Sequence, residues 1–269
     1  MQIIKVPGIN GLGKTNGCRD AGNAIISRLD EIHTNEKGKP INKNLLDLEE
    51  IHLNNKNLEE QEKLIYKNSL EAFQTKDKVI FLGGDHSISF SIGKAFLHFC
   101  NENNKTPCLI VFDAHPDCMP PMKEPTHEEW LRALIEEGFP KENILLIGSR
   151  NATQEEIIFL KENKIKQINI NELNADLEEI TDIIMEFSRQ KELYVSLDID
   201  VIDPAFAPST SYKEPGGITP RQLIYLVSRL SILKNLKAID IVEVDSEKDK
   251  KQYDSMTTKL ASKLLAEFL

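Results

Sequence analysis

The sequence predicts an α/β fold with a mostly parallel sheet, on two observations. Eight short apolar runs rich in β-branched residues alternate along the chain with longer stretches of helical periodicity. Strands that alternate with helices form parallel sheets whose faces the helices cover. In addition, no repeat or linker divides the 269 residues, a length that suits one large domain. We therefore expect a single domain over residues 1–269.

The strands are predicted from apolar, β-branched runs that polar or turn residues bound on both sides. They cover residues 3–6, 48–53, 79–82, 109–113, 144–147, 167–170, 193–197 and 238–244. The first run lacks both the long apolar core and the cleavage site of a signal peptide. An eight-stranded barrel and an open doubly wound sheet both accommodate these strands, and periodicity does not separate the two.

The helices are predicted where apolar residues recur every three or four positions, as Leu177, Ile180 and Ile184 do. They cover residues 58–74, 88–100, 127–137, 176–188 and 220–233, and a last helix begins near residue 254. Eight of the 12 prolines fall in two loops, 116–125 and 204–220, each directly after an Asp-rich strand end. Long, stiff loops at the carboxyl ends of parallel strands are typical walls of a binding site.

Composition excludes several classes of protein. The net charge of −10, from 33 basic and 43 acidic residues, disfavours binding to nucleic acid or to an anionic membrane, because both are negatively charged. No apolar run approaches the ~20 residues that span a bilayer. We therefore expect no nucleic-acid partner, no membrane association and a cytoplasmic location. The four cysteines show no Cys-x-x-Cys spacing and are expected to be free thiols.

Ionisable residues collect at the ends of predicted strands. The segment Gly-Gly-Asp-His-Ser at 83–87 allows a sharp turn that presents His86, and Ser87 is a predicted cap for the next helix. After the next strand, Asp113 and His115 alternate onto one side of the extended chain, with Asp117 within reach beyond a proline. These segments therefore predict one cluster of polar groups.

Two later strands end in the same way. Asp198 and Asp200 share one face of their strand, and Asp203 is predicted to brace the turn that follows. Asp240 and Glu243 are three positions apart in the last strand, so they should point in opposite directions and only one should face the cluster.

The predicted cluster combines four carboxylates with two imidazoles. Its members are His86, Asp113, His115, Asp117, Asp198 and Asp200. Because unpaired ionised groups are costly to bury, a bound cation is the simplest explanation. Oxygen-rich ligand sets that include imidazole suit Mn²⁺, with Fe²⁺, Co²⁺ and Zn²⁺ as alternatives. Six protein ligands exceed what one catalytic ion with an open position accepts, so two ions bridged by shared carboxylates fit better.

The order and separation of these motifs resemble those of the ureohydrolase superfamily, which contains arginases, agmatinases, guanidinobutyrases and formimidoylglutamases. The motifs are Gly-Gly-Asp-His-Ser, Asp-Ala-His-x-Asp, Ser-x-Asp-x-Asp-x-x-Asp-Pro and Val-Glu-Val, and together they span nearly the whole chain. The resemblance implies an arginase-like three-layer αβα sandwich with an eight-stranded, mostly parallel sheet, rather than a barrel. It also favours a homo-oligomer, with which the apolar terminal run 264–269 is consistent.

The resemblance further implies a role for each matching residue. One Mn²⁺ would be bound by His86, Asp113, Asp117 and Asp198, and the second by Asp113, His115, Asp198 and Asp200. A hydroxide between the ions would attack the guanidinium carbon of the substrate and release urea, with Asp117 accepting its hydrogen bond. Glu243 would pair with the planar guanidinium. His127 would carry a proton to the leaving amine.

The resemblance is weaker where the substrate is selected. The family has His-Gly where this chain has Thr-His-Glu-Glu at 126–129, in which Thr126 and Glu129 also match a capping box. Met119 and the absence of an acid after the fifth strand argue against an α-amino-acid head group, and Ser-Thr-Ser-Tyr at 209–212 replaces a Gly-Thr-Gly tract. We therefore favour a small cationic, carboxylate-free guanidino substrate such as agmatine. Arginase proper and a formimidoylglutamase-type hydrolase are the alternatives.

Two other classes of protein compete with this hypothesis. Residues 8–15 match the GxxxxGK[ST] pattern of a nucleotide-binding P-loop, and they follow a strand. A phosphate loop needs a helix that starts at its Lys-Thr pair, whereas here Gly17 and Gly22 follow, so the helix is predicted near Gly22 and Lys14 is expected to be solvated. The second competitor is a non-catalytic relative that still binds metal.

Overall fold

The computed structural model describes residues 1–269, and its centre is an open sheet of eight strands. Strands β1 to β8 are, in chain order, Gln2–Lys5, Asp47–Glu50, Val79–Leu82, Pro107–Phe112, Ile144–Ile147, Lys166–Ile168, Glu192–Asp198 and Leu236–Val242. Their order across the sheet is β2-β1-β3-β8-β7-β4-β5-β6, and every pairing is parallel. The edge strands β2 and β6 do not pair with each other, so the open sheet is confirmed and the barrel is excluded.

Ten α-helices connect and follow the strands. Helices α1 to α10 are Ala21–Arg28, Leu58–Thr75, Ile88–Glu102, Trp130–Glu136, Gln154–Asn163, Ile170–Ala175, Leu177–Phe187, Pro220–Leu230, Ser246–Gln252 and Met256–Phe268. None of them combines the length and the apolar character that crossing a membrane would require.

The helices lie on both faces of the sheet because successive strand residues point to opposite sides. Ile3 and Ile80 belong to a hydrophobic cluster of 36 buried residues that α1, α8 and α10 cover. Ile4 and Phe81, their direct neighbours, belong to a second cluster of 31 buried residues under α2, α3 and α4. This arrangement confirms the three-layer αβα fold. The apolar run at 264–269 packs into the first cluster and is therefore part of the core.

Some predicted elements differ from the structure. Helix α4 begins at Trp130 instead of residue 127, which leaves His127 in the preceding loop. Helices α5, α6 and α9 are not among the predicted ones. In α5, Ile157 and Ile158 are both about half exposed, so this helix has no clean apolar stripe for the sequence to reveal. The four cysteines are free and buried, as predicted.

Two glycines shape the turn between β3 and α3. Gly83 and Gly84 have φ values of +92° and +77°, which residues with a side chain rarely adopt. A Cβ atom on Gly84 would lie 2.3 Å from the carbonyl oxygen of Gly8. Ser87 occupies the N-cap position of α3, as predicted, but its side chain accepts no hydrogen bond from the helix, and its hydroxyl donates to Asp85. The turn is thus fixed against the loop that follows β1, and it places His86 at the sheet edge.

Replacing Gly84 by alanine is expected to lower the free energy of unfolding by more than the ~1–2 kcal/mol of a left-handed backbone alone, because the methyl group meets carbonyl oxygens. Urea denaturation would measure the loss. Gly38→Ala is the matched control, since Gly38 has φ +74° and a Cβ atom there would have no other atom within 4 Å. Equal losses in the two variants would show that the close approach to Gly8 contributes nothing.

Candidate metal centre and active site

The predicted site residues meet at one edge of the sheet. His86 follows β3, Asp113 follows β4, Asp198 ends β7 and Glu243 follows β8. These four strands are neighbours in the order β3-β8-β7-β4, and because they are parallel their carboxyl ends lie together. All six predicted metal-ligating residues come together there, and five of them are buried, while His115 is partly exposed.

The ring of His86 faces three carboxylates at once. Its Nδ1 atom lies 3.0 Å from Oδ2 of Asp113, 3.0 Å from Oδ2 of Asp117 and 3.3 Å from Oδ2 of Asp198. Nδ1 of His86 and Oδ2 of Asp113 are nevertheless buried without a hydrogen bond of acceptable geometry. Three carboxylate oxygens around one ring nitrogen are costly to bury without a cation among them.

A buried hydrogen-bond chain sets the tautomer of His86. The Ser196 hydroxyl donates to Oδ1 of Asp240 at 2.8 Å, and its oxygen lies 2.9 Å from Nε2 of His86. Because the only hydroxyl proton goes to the carboxylate, Ser196 accepts from Nε2–H, so the neutral ring carries its lone pair on Nδ1. Although burial lowers the pKa of His86, the carboxylates beside Nδ1 raise it well above its ordinary value, so they favour a positive charge at this atom. A divalent ion among the carboxylates would supply that charge in place of the proton. Asp240 therefore lies beneath the site. Glu243 faces the site, but β8 ends at Val242 and Glu243 has φ +62°, so the turn after the strand directs it and not the predicted alternation.

A second cluster lies beside the first. Nδ1 of His115 is 2.9 Å from Oδ2 of Asp200 and 3.6 Å from Oδ1 of Asp113. Backbone N–H groups hold the carboxylates in place: Ala114 donates to Asp200 at 3.0 Å, and Asp200 donates to Oδ1 of Asp198 at 2.8 Å. Asp113 thus contributes to both clusters, with its Oδ2 atom in the first and its Oδ1 atom near the second.

Burial and mutual repulsion dominate the electrostatics of the clusters. Burial, followed by the neighbouring charge of Asp113, raises the pKa of Asp117 to about 8. Burial and the charges of Asp200 and Asp113 also raise the pKa of Asp198 well above its ordinary value. Asp113 differs: burial raises its pKa, but the close imidazoles of His115 and His86 outweigh burial and lower it. Carboxylates this close together resist ionisation because their charges repel, and a divalent cation among them would stabilise the ionised forms.

Trp130 is a site residue that the sequence did not reveal. Its indole N–H donates to Oδ2 of Asp117 at 2.8 Å, and its ring lies 4.6 Å, centre to centre, from that of His86. Asp117 has φ +50°, and its carbonyl oxygen accepts from the N–H groups of Leu131 and Arg132 at the start of α4. The start of this helix therefore fixes both the backbone and the carboxylate of Asp117. The only available signal was that this is the single tryptophan of the chain.

Glu243 and His127 form the wall next to the first cluster. Glu243 is 4% exposed, and its Oε1 atom accepts the backbone N–H of His86 at 2.9 Å. Burial, with the nearby charge of Asp85, raises the pKa of Glu243. Nδ1 of His127 is buried without a hydrogen bond, 4.0 Å from Oε1 of Glu243. Both residues thus offer polar atoms that no protein group satisfies fully.

Asp85 lies close to Glu243 and His127 but is already saturated. Its Oδ2 atom accepts from the N–H of Asn10 at 2.7 Å and from the hydroxyl of Thr15 at 2.6 Å, and its Oδ1 atom accepts from Ser87. These three residues therefore account for both oxygens. Asp85 fixes the loop after β1 and is not available as a ligand.

That loop supports the site instead of forming a phosphate loop. A Cβ atom on Gly11 would lie 2.6 Å from Nδ1 of His127, so the backbone packs directly under this ring. No α-helix begins at Lys14, which is exposed; α1 begins at Ala21, close to the predicted start. The helix N-terminus that a phosphate loop requires is therefore missing at this position.

A pocket of about 230 Å³ opens above both clusters. It includes His115, Asp117 and His127 from the predicted site, together with loop residues that the sequence associated with substrate choice. The full lining is His115, Asp117, Met119, His127, Glu128, Asn151, Thr153, Glu156, Tyr212 and Glu214. Four of these ten residues are acidic and none is Lys or Arg, so the pocket favours a cation.

A parallel sheet that carries two carboxylate and imidazole clusters at one edge is the framework of a metal-binding α/β protein. The sequence profile described as Arginase family matches residues 1–269, and the chain belongs to this family. The chain is 32% identical over 195 residues to "Arginase 1, mitochondrial" of Oryza sativa subsp. indica, which covers 70% of this chain and 53% of that protein. It is 32% identical over 193 residues to the agmatinase of Bacillus subtilis (strain 168), which covers 70% and 61%.

The fold also matches that of a protein of known structure. Formimidoylglutamase from Bacillus subtilis subsp. subtilis str. 168 superposes with a TM-score of 0.87 and 23% identity, covering 99% of this chain and 85% of that one. The chain spans about half the length of the plant arginase that it matches. These comparisons confirm the family resemblance and the fold class that the sequence motifs predict.

Proposed function

We propose that the chain is a binuclear, metal-dependent amidinohydrolase that cleaves the guanidino C–N bond of a small cationic substrate and releases urea. The observation that carries the proposal is the position of His86 Nδ1, which is buried within 3.3 Å of three buried carboxylates while Nε2 is bonded to Ser196. The names of its relatives, arginase and agmatinase, support the same chemistry. A P-loop protein is not favoured, because Thr15 binds Asp85 and no α-helix starts beside it: only one 3-10 turn, Asn16–Cys18, precedes α1.

The residues present fit a pair of divalent ions, for which we favour Mn²⁺. One ion would be bound by His86, Asp113, Asp117 and Asp198, and the other by Asp113, His115, Asp198 and Asp200. The buried, unpaired atoms His86 Nδ1 and Asp113 Oδ2 support this assignment. A mixed oxygen and imidazole set suits Mn²⁺ better than a thiolate-binding metal. When bound, such ions supply a water that ionises near neutral pH.

The remaining site residues would bind the substrate and move protons. Glu243 would pair with the guanidinium, because its buried carboxylate is held by the His86 N–H and favours a planar cation that also donates hydrogen bonds. Asp117, oriented by Trp130, would accept a proton from the attacking water. His127 would donate a proton at Nδ1 to the leaving amine, since this atom is unpaired and lies near Glu243.

We favour agmatine or a similar carboxylate-free compound over arginine. An arginine head group would bring a carboxylate into a pocket whose lining contains no Lys or Arg. Met119 also lines this pocket, and its thioether offers no charge to an amino-acid head group.

We further propose that residues 1–269 form one domain and that the protein is a homo-oligomer in the cytoplasm. Light scattering of the purified protein would measure the oligomeric state.

Purified protein loaded with Mn²⁺ is expected to hold about two ions per chain and to release urea from guanidino compounds. A screen over agmatine, arginine, guanidinobutyrate and guanidine would measure urea, and metal analysis would give the stoichiometry. Chelation should remove both the metal and the activity, and added Mn²⁺ should restore them. One ion or none per chain would contradict the binuclear site. Two ions without urea from any compound would identify a non-catalytic relative.

A further inference from the structure

The pocket contains an acidic residue, Glu214, on a loop that Arg150 connects to the second cluster. The side chain of Glu214 is 24% exposed, and its Oε1 atom accepts from the Asn151 amide at 2.5 Å and lies 3.5 Å from Nε2 of His115. Arg150 donates to the carbonyl oxygen of Glu214 at 2.6 Å and to that of Asp200 at 2.8 Å. The position of Glu214 is therefore fixed relative to the second cluster.

A second acidic residue, Glu128, is held by the hydroxyl of Tyr212. Oε1 of Glu128 accepts from the Tyr212 hydroxyl at 3.2 Å and lies 3.4 Å from Nε2 of His127. The Tyr212 ring makes edge contacts with His127, at 5.2 Å between centres, and with His115, at 6.1 Å. Tyr212 thus lies beside both histidines, and Glu128 is anchored to its hydroxyl.

Both carboxylates remain available to a ligand. Glu156, which also lines the pocket, is 5% exposed and uses both oxygens on Cys118 and Thr153. By contrast, Oε2 of Glu128 and Oε2 of Glu214 accept no hydrogen bond from the protein. His127, 6% exposed in the same pocket, has the unpaired Nδ1 atom already described. The pocket therefore presents two free acidic oxygens and an unpaired buried nitrogen.

We propose that Glu128 and Glu214 form a second cation subsite, which binds the ammonium at the far end of an unbranched guanidino-amine. This inference rests on the proposed function, in which Glu243 takes the guanidinium. The substrate would then be a dication with a cationic group at each end. A carboxylate at the far end would meet two acids and no cation in the lining, so the subsite also rejects acidic and zwitterionic tails.

Lys14 is a nearby cation that could reverse this preference. Its Nζ atom lies 5.1 Å from the centre of the Tyr212 ring, and the residue does not line the pocket. If Lys14 bound an anionic tail, guanidinobutyrate would be the better substrate and Lys14→Met would lose activity toward it.

The test compares substrates that differ only at the far end: agmatine, pentylguanidine and guanidinobutyrate. We expect the Mn²⁺-loaded protein to prefer agmatine in kcat/KM. Glu128→Gln and Glu214→Gln should each reduce kcat/KM for agmatine by about three- to tenfold, mainly through KM, because each site is partly solvated. In each variant the loss toward pentylguanidine should be smaller than the loss toward agmatine, because pentylguanidine carries no second cation. Glu155→Gln, an exposed acid on α5, is the matched control.

Equal losses on agmatine and pentylguanidine, or no loss on either, would overturn the subsite. Preference for guanidinobutyrate that disappears in Lys14→Met would overturn it as well. Urea from pentylguanidine without preference for agmatine would refute the subsite and leave the proposed function intact. If no compound yields urea, the proposed function fails, and calorimetry of agmatine against pentylguanidine on wild type and both Gln variants still decides whether the second cation is bound.

Discussion

Replacing His115 by asparagine is expected to abolish measurable turnover and to reduce the bound metal from about two ions to about one per chain. The imidazole Nδ1 lies 2.9 Å from Asp200 and 3.6 Å from Asp113, so it would complete the ligand set of the second ion. An asparagine amide is a poor substitute, and it leaves two buried carboxylates facing each other. Metal analysis and a urea assay on the same preparation would measure both effects.

The control for this variant is His52→Asn, because the His52 side chain is 92% exposed and far from any proposed ligand role. Thermal unfolding of both variants without metal would separate a folding defect from metal loss. A His115→Asn protein that keeps two ions and full turnover would remove His115 from the site.

The second large effect is expected from Glu243→Gln, which should lower kcat/KM while the bound metal stays at about two ions per chain. Glutamine has nearly the same shape and can still accept the His86 N–H at Oε1, so the fold and the metal content should be preserved. The negative charge that pairs with the guanidinium is lost. Removing one partner of a buried charge pair costs about 2–5 kcal/mol, which is roughly 30- to 5,000-fold in kcat/KM.

Steady-state kinetics with the best substrate of the urea screen would measure this loss. Glu247→Gln on α9 supplies a matched control, since that side chain is 64% exposed and forms a surface pair with Lys251. An unchanged kcat/KM would assign Glu243 a purely structural role. A simultaneous loss of metal would show that it acts through His86 and not on the substrate.

The sequence predicted the arrangement of the metal cluster because parallel strands converge at their carboxyl ends. Alternation placed Asp113 with His115 and Asp198 with Asp200, and the structure brings the members of each pair close together, although only Asp198 lies within a strand. The same alternation predicted that Asp240 and Glu243 point apart, but β8 ends at Val242 and alternation does not govern Glu243, whose φ is +62°. It could not say what Asp240 does, because its partner Ser196 becomes its neighbour only when β7 pairs with β8.

The loops were less predictable, for a physical reason. Residues 127–129 have a helical pattern, yet Thr126 and Glu129 bond to each other through their side chains and the helix starts only at Trp130. Local side-chain hydrogen bonds of this kind compete with helix formation, and hydrophobic periodicity does not predict them. Tyr212 and Glu214 lie within a loop whose course depends on Arg150, a contact between distant parts of the chain.

The loop from Gly8 to Thr15 matches the phosphate-loop pattern for reasons that have nothing to do with phosphate. Its outer positions are fixed by buried contacts: a Cβ atom on Gly8 would lie 2.8 Å from Ile88, and Thr15 is bonded to Asp85. Its inner positions, Gly13 and Lys14, face solvent. Contacts with the site therefore explain why the outer pair is Gly and Thr, and they do so without any phosphate. The match to the phosphate-loop pattern is thus a by-product of how this loop packs under the metal site.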